Sequence, residues 1–255
     1  MLYTEQEYLE ICREFFDFLL KYTRRYKQDH PETPYSEILG HRSIMSFIIR
    51  TGSSELRDFP EEVCDFLKEA DLDFEKAGEK YKKIIPELAS KNAETAFAQN
   101  PKFIPGMSLR WDPPRKDVPP NWCVFHMWNA LKPESFLRYP EYVAENFMII
   151  MHESRLAYPQ LDTLYTGSWL LSEPKFLRFF PEEFHRNLEI TTPEIFWDQG
   201  FHGQFINARG TLNRRNAELF LKTGKLPFQH RKSHCSYESM KKHLLKNFLQ
   251  QENVL

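Results

Sequence analysis

Seven of the nine histidines, His126, His152, His185, His202, His230, His234 and His243, lie beyond residue 120. Imidazole is the side chain best suited to trade a proton near neutral pH, so this bias draws acid–base chemistry toward the C-terminal half. Two positions stand out. His126 sits in the aromatic and β-branched run Trp122–Asn129, which reads as a strand. Alternation puts Trp122, Val124, His126 and Trp128 on one face and Cys123, Phe125, Met127 and Asn129 on the other. Asn129 falls where such a strand would end, and strand ends in mixed folds open onto ligand clefts. His202 sits in Gly200–Asn213, a stretch with three of the nine glycines and, in close company, Gln204, Asn207, Arg209 and Asn213. A guanidinium with two amides can hold and orient a carboxylate or phosphate. A helix starting at Thr211 or Asn213 would add backbone N–H groups aimed at an anion. The competing reading of this stretch is a structural Ω-like turn whose polar groups satisfy one another.

Other chemistries find less to work with. Tyr165-Thr166-Gly167-Ser168-Trp169 resembles a strand-to-turn junction without the GxSxG of a nucleophile elbow, so Ser168 and Trp169 are read as pocket lining. His152-Glu153 lacks the second histidine of HExxH. His230 and His234 are four apart beside Cys235, but they precede a helix cap at Ser236, so the helical spacing of a metal pair is not expected. No metal is assigned and no cofactor is named.

The elements that must position these residues begin with a helix from Thr4 to about Tyr26. Thr4 and Glu7 form a capping box, and Tyr8, Cys12, Phe15, Leu19 and Tyr22, widened by Ile11 and Phe18, form its apolar stripe. Two prolines make residues 28–34 a linker. Ser36 is expected to cap a short helix ending near Gly40, and Ile44, Phe47 and Ile48 make an apolar segment stopped by Gly52. Helices are expected over 58–69, with Pro60 in the first turn, and over 71–100, with a break or kink at Pro86. After Asn100 the character changes. Six prolines punctuate residues 101–120, and short strands are expected over Met107–Trp111, Trp122–Asn129, from Leu161 to Gly167, and at Ile195–Trp197. Helices are expected over 141–154, from Pro174 to Phe180, from Thr211 or Asn213 to Gly224, and from Ser236 to about Gln250.

The expected class is therefore α+β and helix-dominated: a helical lobe over 1–100, packed on an α+β half over 101–255 with a small mixed sheet. Hydrophobic residues make up 41% of the chain, enough for a sizeable core. With 34 Lys+Arg against 36 Asp+Glu the formal net charge is −2, so no overall field favours nucleic acid or an anionic membrane. No stretch approaches the ~20 apolar residues that span a bilayer, and the first residues lack the basic and apolar regions of a signal peptide. The expected location is the cytoplasm. The four cysteines are widely spaced with no CxxC and do not read as a disulfide framework or a zinc cluster; Cys12 and Cys64 fall on helix stripes and are expected to be buried thiols.

One local likeness stands out. Asn213 to Gly224 resembles the late helix of Gcn5-related N-acetyltransferases. Asn213, Phe220, Lys222 and Gly224 fit its pattern. Asn216 stands in the alanine position, Lys225 follows where the family has Phe, and Phe220 occupies the place of the catalytic tyrosine. The pyrophosphate-binding loop of that family is missing from the segment before it. The resemblance implies coenzyme A as acyl donor and a helix N-terminus open to its pyrophosphate.

Three readings follow, and the sequence leaves open whether the chain is an enzyme. The preferred one is a soluble enzyme of group transfer or hydrolysis acting on a small polar or anionic molecule. In it His126 and His202 are the acid–base candidates, and Asn129, Trp169, Gln204, Asn207, Arg209 and Asn213 surround the substrate. The second is a coenzyme A-dependent N-acyltransferase-like protein. The third is a non-catalytic helical interaction module. No feature sets an oligomeric state.

Overall fold

The computed structural model describes residues 2–45, 59–91, 104–191 and 199–249. In chain order the elements are α1 (Glu5–Asp29), α2 (Tyr35–His41), α3 (Glu61–Leu72), α4 (Phe74–Ser90), β1 (Leu109–Trp111), β2 (Trp122–Met127), α5 (Pro140–Ala157), β3 (Thr163–Ser168), α6 (Pro174–Leu177), α7 (Glu182–Arg186), β4 (Glu189–Ile190), α8 (Gln199–His202), α9 (Arg214–Thr223), β5 (Arg231–Ser236) and α10 (Tyr237–Asn247). The protein is a helix-dominated α+β fold with a small mixed sheet. Among the described residues no helix is long and apolar enough to cross a membrane. The chain divides into two compact units, one made of Met1–Ala98 and Pro193–Pro227, the other of Gln99–Thr192 and Phe228–Leu255.

The first unit is helical. Its longest element starts as the capping box dictates: the Glu7 backbone N–H donates to Thr4 Oγ1 (3.2 Å) and the Thr4 N–H donates back to the Glu7 carboxylate (2.7 Å). Tyr8, Ile11, Cys12, Phe15, Phe18, Leu19 and Tyr22 are all buried, as the stripe requires. At α2 the sequence expectation fails locally. Pro34 is the N-cap and Ser36 lies inside the helix, its N–H accepted by Asp71 Oδ1 at 2.9 Å. Pro60 likewise precedes α3 as its N-cap, and Cys64 is half-buried rather than buried. α4 is capped by Asp73, which accepts from the Lys76 N–H at 3.1 Å, and carries Pro86 without ending before Ser90. The expected continuation through Ala96 and Phe97 and the segment at Phe47, Ile48 and Gly52 lie outside the described residues.

α9 closes this core from far along the chain. Asn213 caps it by accepting from the Asn216 N–H (3.4 Å), and Gly224 ends it in the left-handed region at φ 70°. Its Phe220 stacks on Tyr22 with centroids 4.2 Å apart, while Phe205 meets Phe18, Tyr22 and Phe220 at 5.0–5.9 Å.

The second unit is built on the sheet, ordered β1-β2-β3-β5-β4. β1 and β2 form an antiparallel hairpin across the proline-rich loop. β2 and β3 run parallel through the crossover helix α5, and β5 returns antiparallel to β3 and to the edge strand β4. One sheet face is core: Leu109, Cys123, Phe125, Leu164 and Cys235 are fully buried together with Phe147 and Ile150 of α5. Phe125 meets Phe147 edge-on at 5.3 Å, and Phe180 stacks on Phe184 at 3.9 Å. Buried Asn146 secures β1 to α5 by accepting from the Ser108 and Leu109 N–H groups at 2.7 and 3.3 Å. Residues 231–236, next to His230 and in a stretch where helical spacing is not expected, form β5. The expected strand at Ile195–Trp197 lies outside the described residues.

Candidate functional site

The other sheet face is polar and aromatic, and His126 is on it. β1 and β2 pair with Arg110 opposite His126, and the Asp112 N–H extends the ladder by donating to the Val124 carbonyl at 2.9 Å. Arg110 and Asp112 are two apart, so both side chains stand on the His126 face. The Asp112 carboxylate receives His126 Nε2–H on Oδ2 at 2.6 Å and the Arg110 guanidinium on Oδ1. Arg115, from the loop beyond, brings a terminal nitrogen to 3.7 Å from the same Oδ2.

This cluster fixes its own protonation pattern. Burial pushes the Asp112 carboxyl up, but the His126 hydrogen bond and the charges of His126 and Arg110 outweigh it and hold it at about 2, against an ordinary 3.8. An ionised carboxylate can only accept, so His126 Nε2 carries the hydrogen and Nδ1 is the ring nitrogen left to exchange a proton. Among the described residues nothing hydrogen-bonds that Nδ1. The His126 side chain is 35% exposed and that of Asp112 21%, so the carboxylate is shielded while the imidazole meets solvent.

Further along the face, across β2, β3 and β5, Val124, Tyr165 and His234 lie side by side. Trp122 reaches over this row, stacked on His234 at 4.4 Å and tilted against Tyr165 at 5.0 Å. His234 is held by Asn187, whose amide donates to its Nε2 (3.2 Å) and to its carbonyl (3.1 Å). His230 is bonded through Nδ1 to the Thr191 hydroxyl, and burial pulls it down to about 4, so at neutral pH it is uncharged. Its ring lies over Gly167, where an added Cβ would come within 3.0 Å of His230 Cε1. Burial pushes the Cys235 thiol up, which keeps it protonated and removes it as a nucleophile. Among the described residues no group of three or more His, Cys, Asp or Glu is placed to hold a metal ion.

Most of the remaining sequence candidates have side-chain polar groups engaged locally. Asn129 shapes the turn after β2: its Oδ1 accepts from the Leu131 N–H (3.2 Å) and its amide donates to the Glu134 carbonyl (2.7 Å). Trp169 opens a 3-10 turn over Trp169–Ser172 and packs on Phe228 at 5.6 Å. His202, Gln204, Asn207, Arg209 and Asn213 belong to the helical unit. His202 is 3% exposed, with Nε2 3.3 Å from the Tyr22 hydroxyl. The Gln204 amide donates to the Phe201 carbonyl (2.7 Å), and the Gln204 carbonyl accepts from Asn216 (2.7 Å) and Asn213 (3.3 Å). Asn207 is used entirely within its loop. It accepts from the Arg209 and Thr211 N–H groups at 2.9 and 3.2 Å and donates to Thr211 Oγ1 and the Leu212 carbonyl at 2.7 and 3.3 Å. Gly210, at φ 84°, makes the reversal, and Arg209 is exposed. This is the hydrogen-bonding pattern of a self-satisfied turn. The helix that carries the acetyltransferase likeness follows this turn in the helical unit, while the strands belong to the other unit.

Asp112, Arg110 and Arg115 carry little signal in the sequence itself. The available signal was Arg110-Trp111-Asp112, alternating at the end of a short strand just before two prolines. No family model matches the chain, and no curated protein and no solved structure matches it significantly.

Proposed function

We propose that the protein is an enzyme acting on a small polar molecule by proton transfer, with His126 as the acid–base residue and Asp112 as the group that orients it. The observation that carries this reading is the 2.6 Å bond from His126 Nε2 to a carboxylate held ionised at about 2. A fixed anion behind an imidazole sets its tautomer and stabilises the imidazolium that forms when Nδ1 takes a proton. Arg110 holds the far oxygen of Asp112, so the carboxylate keeps Oδ2 turned to His126. Half-exposed Arg115 adds positive charge beside the pair, where a developing negative charge would be favoured. Group transfer and hydrolysis both need these steps.

The test is a screen of the purified protein against carboxylic esters, phosphate monoesters and thioester acyl donors, repeated with His126→Asn. Asparagine keeps a donor toward Asp112 and cannot take a proton. Turnover of the accepted substrate should fall at least ~100-fold in the variant. Turnover within about threefold of wild type, in a variant that melts normally, would refute the assignment.

A further inference from the structure

His126 differs from the other histidines of its unit in how its two ring nitrogens are used. His152 and His185 are open to solvent, and among the described residues neither meets a carboxylate. His234 engages one nitrogen with the Asn187 amide, and His243 engages one with the Arg178 carbonyl. His126 places an ionised carboxylate on Nε2 at 2.6 Å, and no described residue occupies its Nδ1. A carboxylate behind an imidazole offsets the positive charge that the ring gains when the far nitrogen forms a bond. A proton is one partner for that lone pair, and an electrophile is another. In a Ser–His–Asp arrangement a hydroxyl sits on the free nitrogen, and the histidine works through it. Here no hydroxyl or thiol among the described residues fills that place, so Nδ1 is itself the nucleophile the cluster presents.

The charges select the electrophile. The oxygen of Asp112 that receives His126 Nε2–H has an Arg115 terminal nitrogen 3.7 Å away, and Arg110 holds the other oxygen. Two guanidiniums and the ring thus share one shielded carboxylate. Asp117, the second acid on Arg115, is 60% exposed, so water screens it. An electrophile that brings negative charge is favoured in this setting, and a phosphoryl group brings about two negative charges.

We propose that His126 Nδ1 accepts a phosphoryl group from small activated donors, an acyl phosphate or phosphoramidate, and holds it as an Nδ1-phosphohistidine. The Nδ1 lone pair forms the N–P bond as the donor's bond to phosphorus breaks. The carboxylate of the acyl phosphate, or ammonia from phosphoramidate, leaves with the electron pair. Nε2 keeps its hydrogen on Asp112, so no proton moves, and the cationic ring faces a carboxylate. Water then attacks phosphorus, the N–P electrons return to the ring, and neutral imidazole and dihydrogen phosphate are released. The assignment rests on His126 being the reactive residue of this face, and gives its free nitrogen a second use beside proton transfer.

The test is incubation of the whole protein with acetyl phosphate or phosphoramidate, followed by peptide mapping in alkali, where N–P bonds survive. His126 should be labelled at least ~10-fold faster than His152 or His185, although both are more exposed. Phosphorus–nitrogen coupling by NMR should place the label on Nδ1. Asp112→Asn should slow labelling of His126 at least ~10-fold and leave that of His152 and His185 unchanged. Labelling of His126 no faster than that of the exposed histidines overturns the proposal, as does a label on Nε2 or a wild-type rate in Asp112→Asn. The wild-type map decides by itself, so a variant that folds poorly does not shelter the proposal. Loss of turnover in His126→Asn with no label on the wild type refutes phosphoryl acceptance and keeps the acid–base role. A label on Nδ1 with normal turnover in His126→Asn refutes the acid–base role and keeps phosphoryl acceptance.

Discussion

The turn at 203–213 and the hairpin of β1 and β2 are the two polar concentrations described above, and they use polarity in opposite ways. In the turn, Gln204, Asn207 and Asn213 point their amides at backbone groups and one hydroxyl, Thr211 Oγ1, of their own neighbourhood. Each such bond replaces one to water, so these amides are engaged within the loop while the Arg209 side chain is exposed. In the hairpin the heads are charged and set on a rigid sheet, and at least one nitrogen is left over. Density of polar residues is thus a poor guide to a site. Whether their donors and acceptors are already matched locally is a better one.

The sharpest way to break this contrast is to remove one histidine from each region. His126→Asn should cut turnover at least ~100-fold with a small change in stability. His202→Ala should instead cost about 1–3 kcal/mol in denaturant unfolding, because it empties a buried place beside Tyr22, and should leave turnover per folded molecule unchanged. The opposite result for either protein would exchange the roles given to the two regions. Asn207→Ala comes next. It leaves the Arg209 and Thr211 N–H groups without their acceptor, and about 1–3 kcal/mol should be lost by the same measurement. A loss near zero would mean that water replaces the side chain and that the turn is less self-contained than its geometry implies.

A smaller effect follows from Asp112. Its folded value of about 2 is below the ordinary 3.8, so the stabilisation is fully present above about pH 4 and is lost as pH falls toward 2. Asp112→Asn should lower stability at pH 7 by about 1–2 kcal/mol and flatten the acid limb between pH 4 and 2, as read by unfolding at several pH values. An unchanged acid limb would mean that the carboxylate is not held by its neighbours. The smallest change is Gly167→Ala, whose Cβ presses His230 Cε1 at 3.0 Å; about 0.5–1 kcal/mol should be lost because Thr191 holds the ring in place. A gain in stability would show that the ring yields.

What could be read from the sequence divides along similar lines. The start of α1, the alternation of β2 and both caps of α9 depend on residues within a few positions of one another, and each was legible. β5 is not, because its buried residues are Ser233 and Cys235, too small and too polar to mark a buried face, and they are interleaved with Lys232 and His234. Ser36 misled because Pro34 sets the extended backbone that a cap needs two residues earlier. Asp112 was missed for a different reason: its meeting with His126 is decided by the register of two strands separated by a proline-rich loop. The stretch Gly200–Asn213 reads as a polar cluster, but which partner each amide takes is set by the folded path of the loop.

The split composition of the helical unit has a consequence for how the chain comes off the ribosome. Tyr22 is made early, whereas Phe205 and Phe220, which complete its packing, are made near the end. At ~5–20 residues per second the wait is roughly 10–40 s. During that interval the apolar stripe of α1 has no permanent cover from α9, and the whole sheet-forming segment up to β4 has already emerged. Newborn chains should therefore lean on chaperones until the last quarter is synthesised, and fragments that stop before α9 should aggregate more readily than the finished protein.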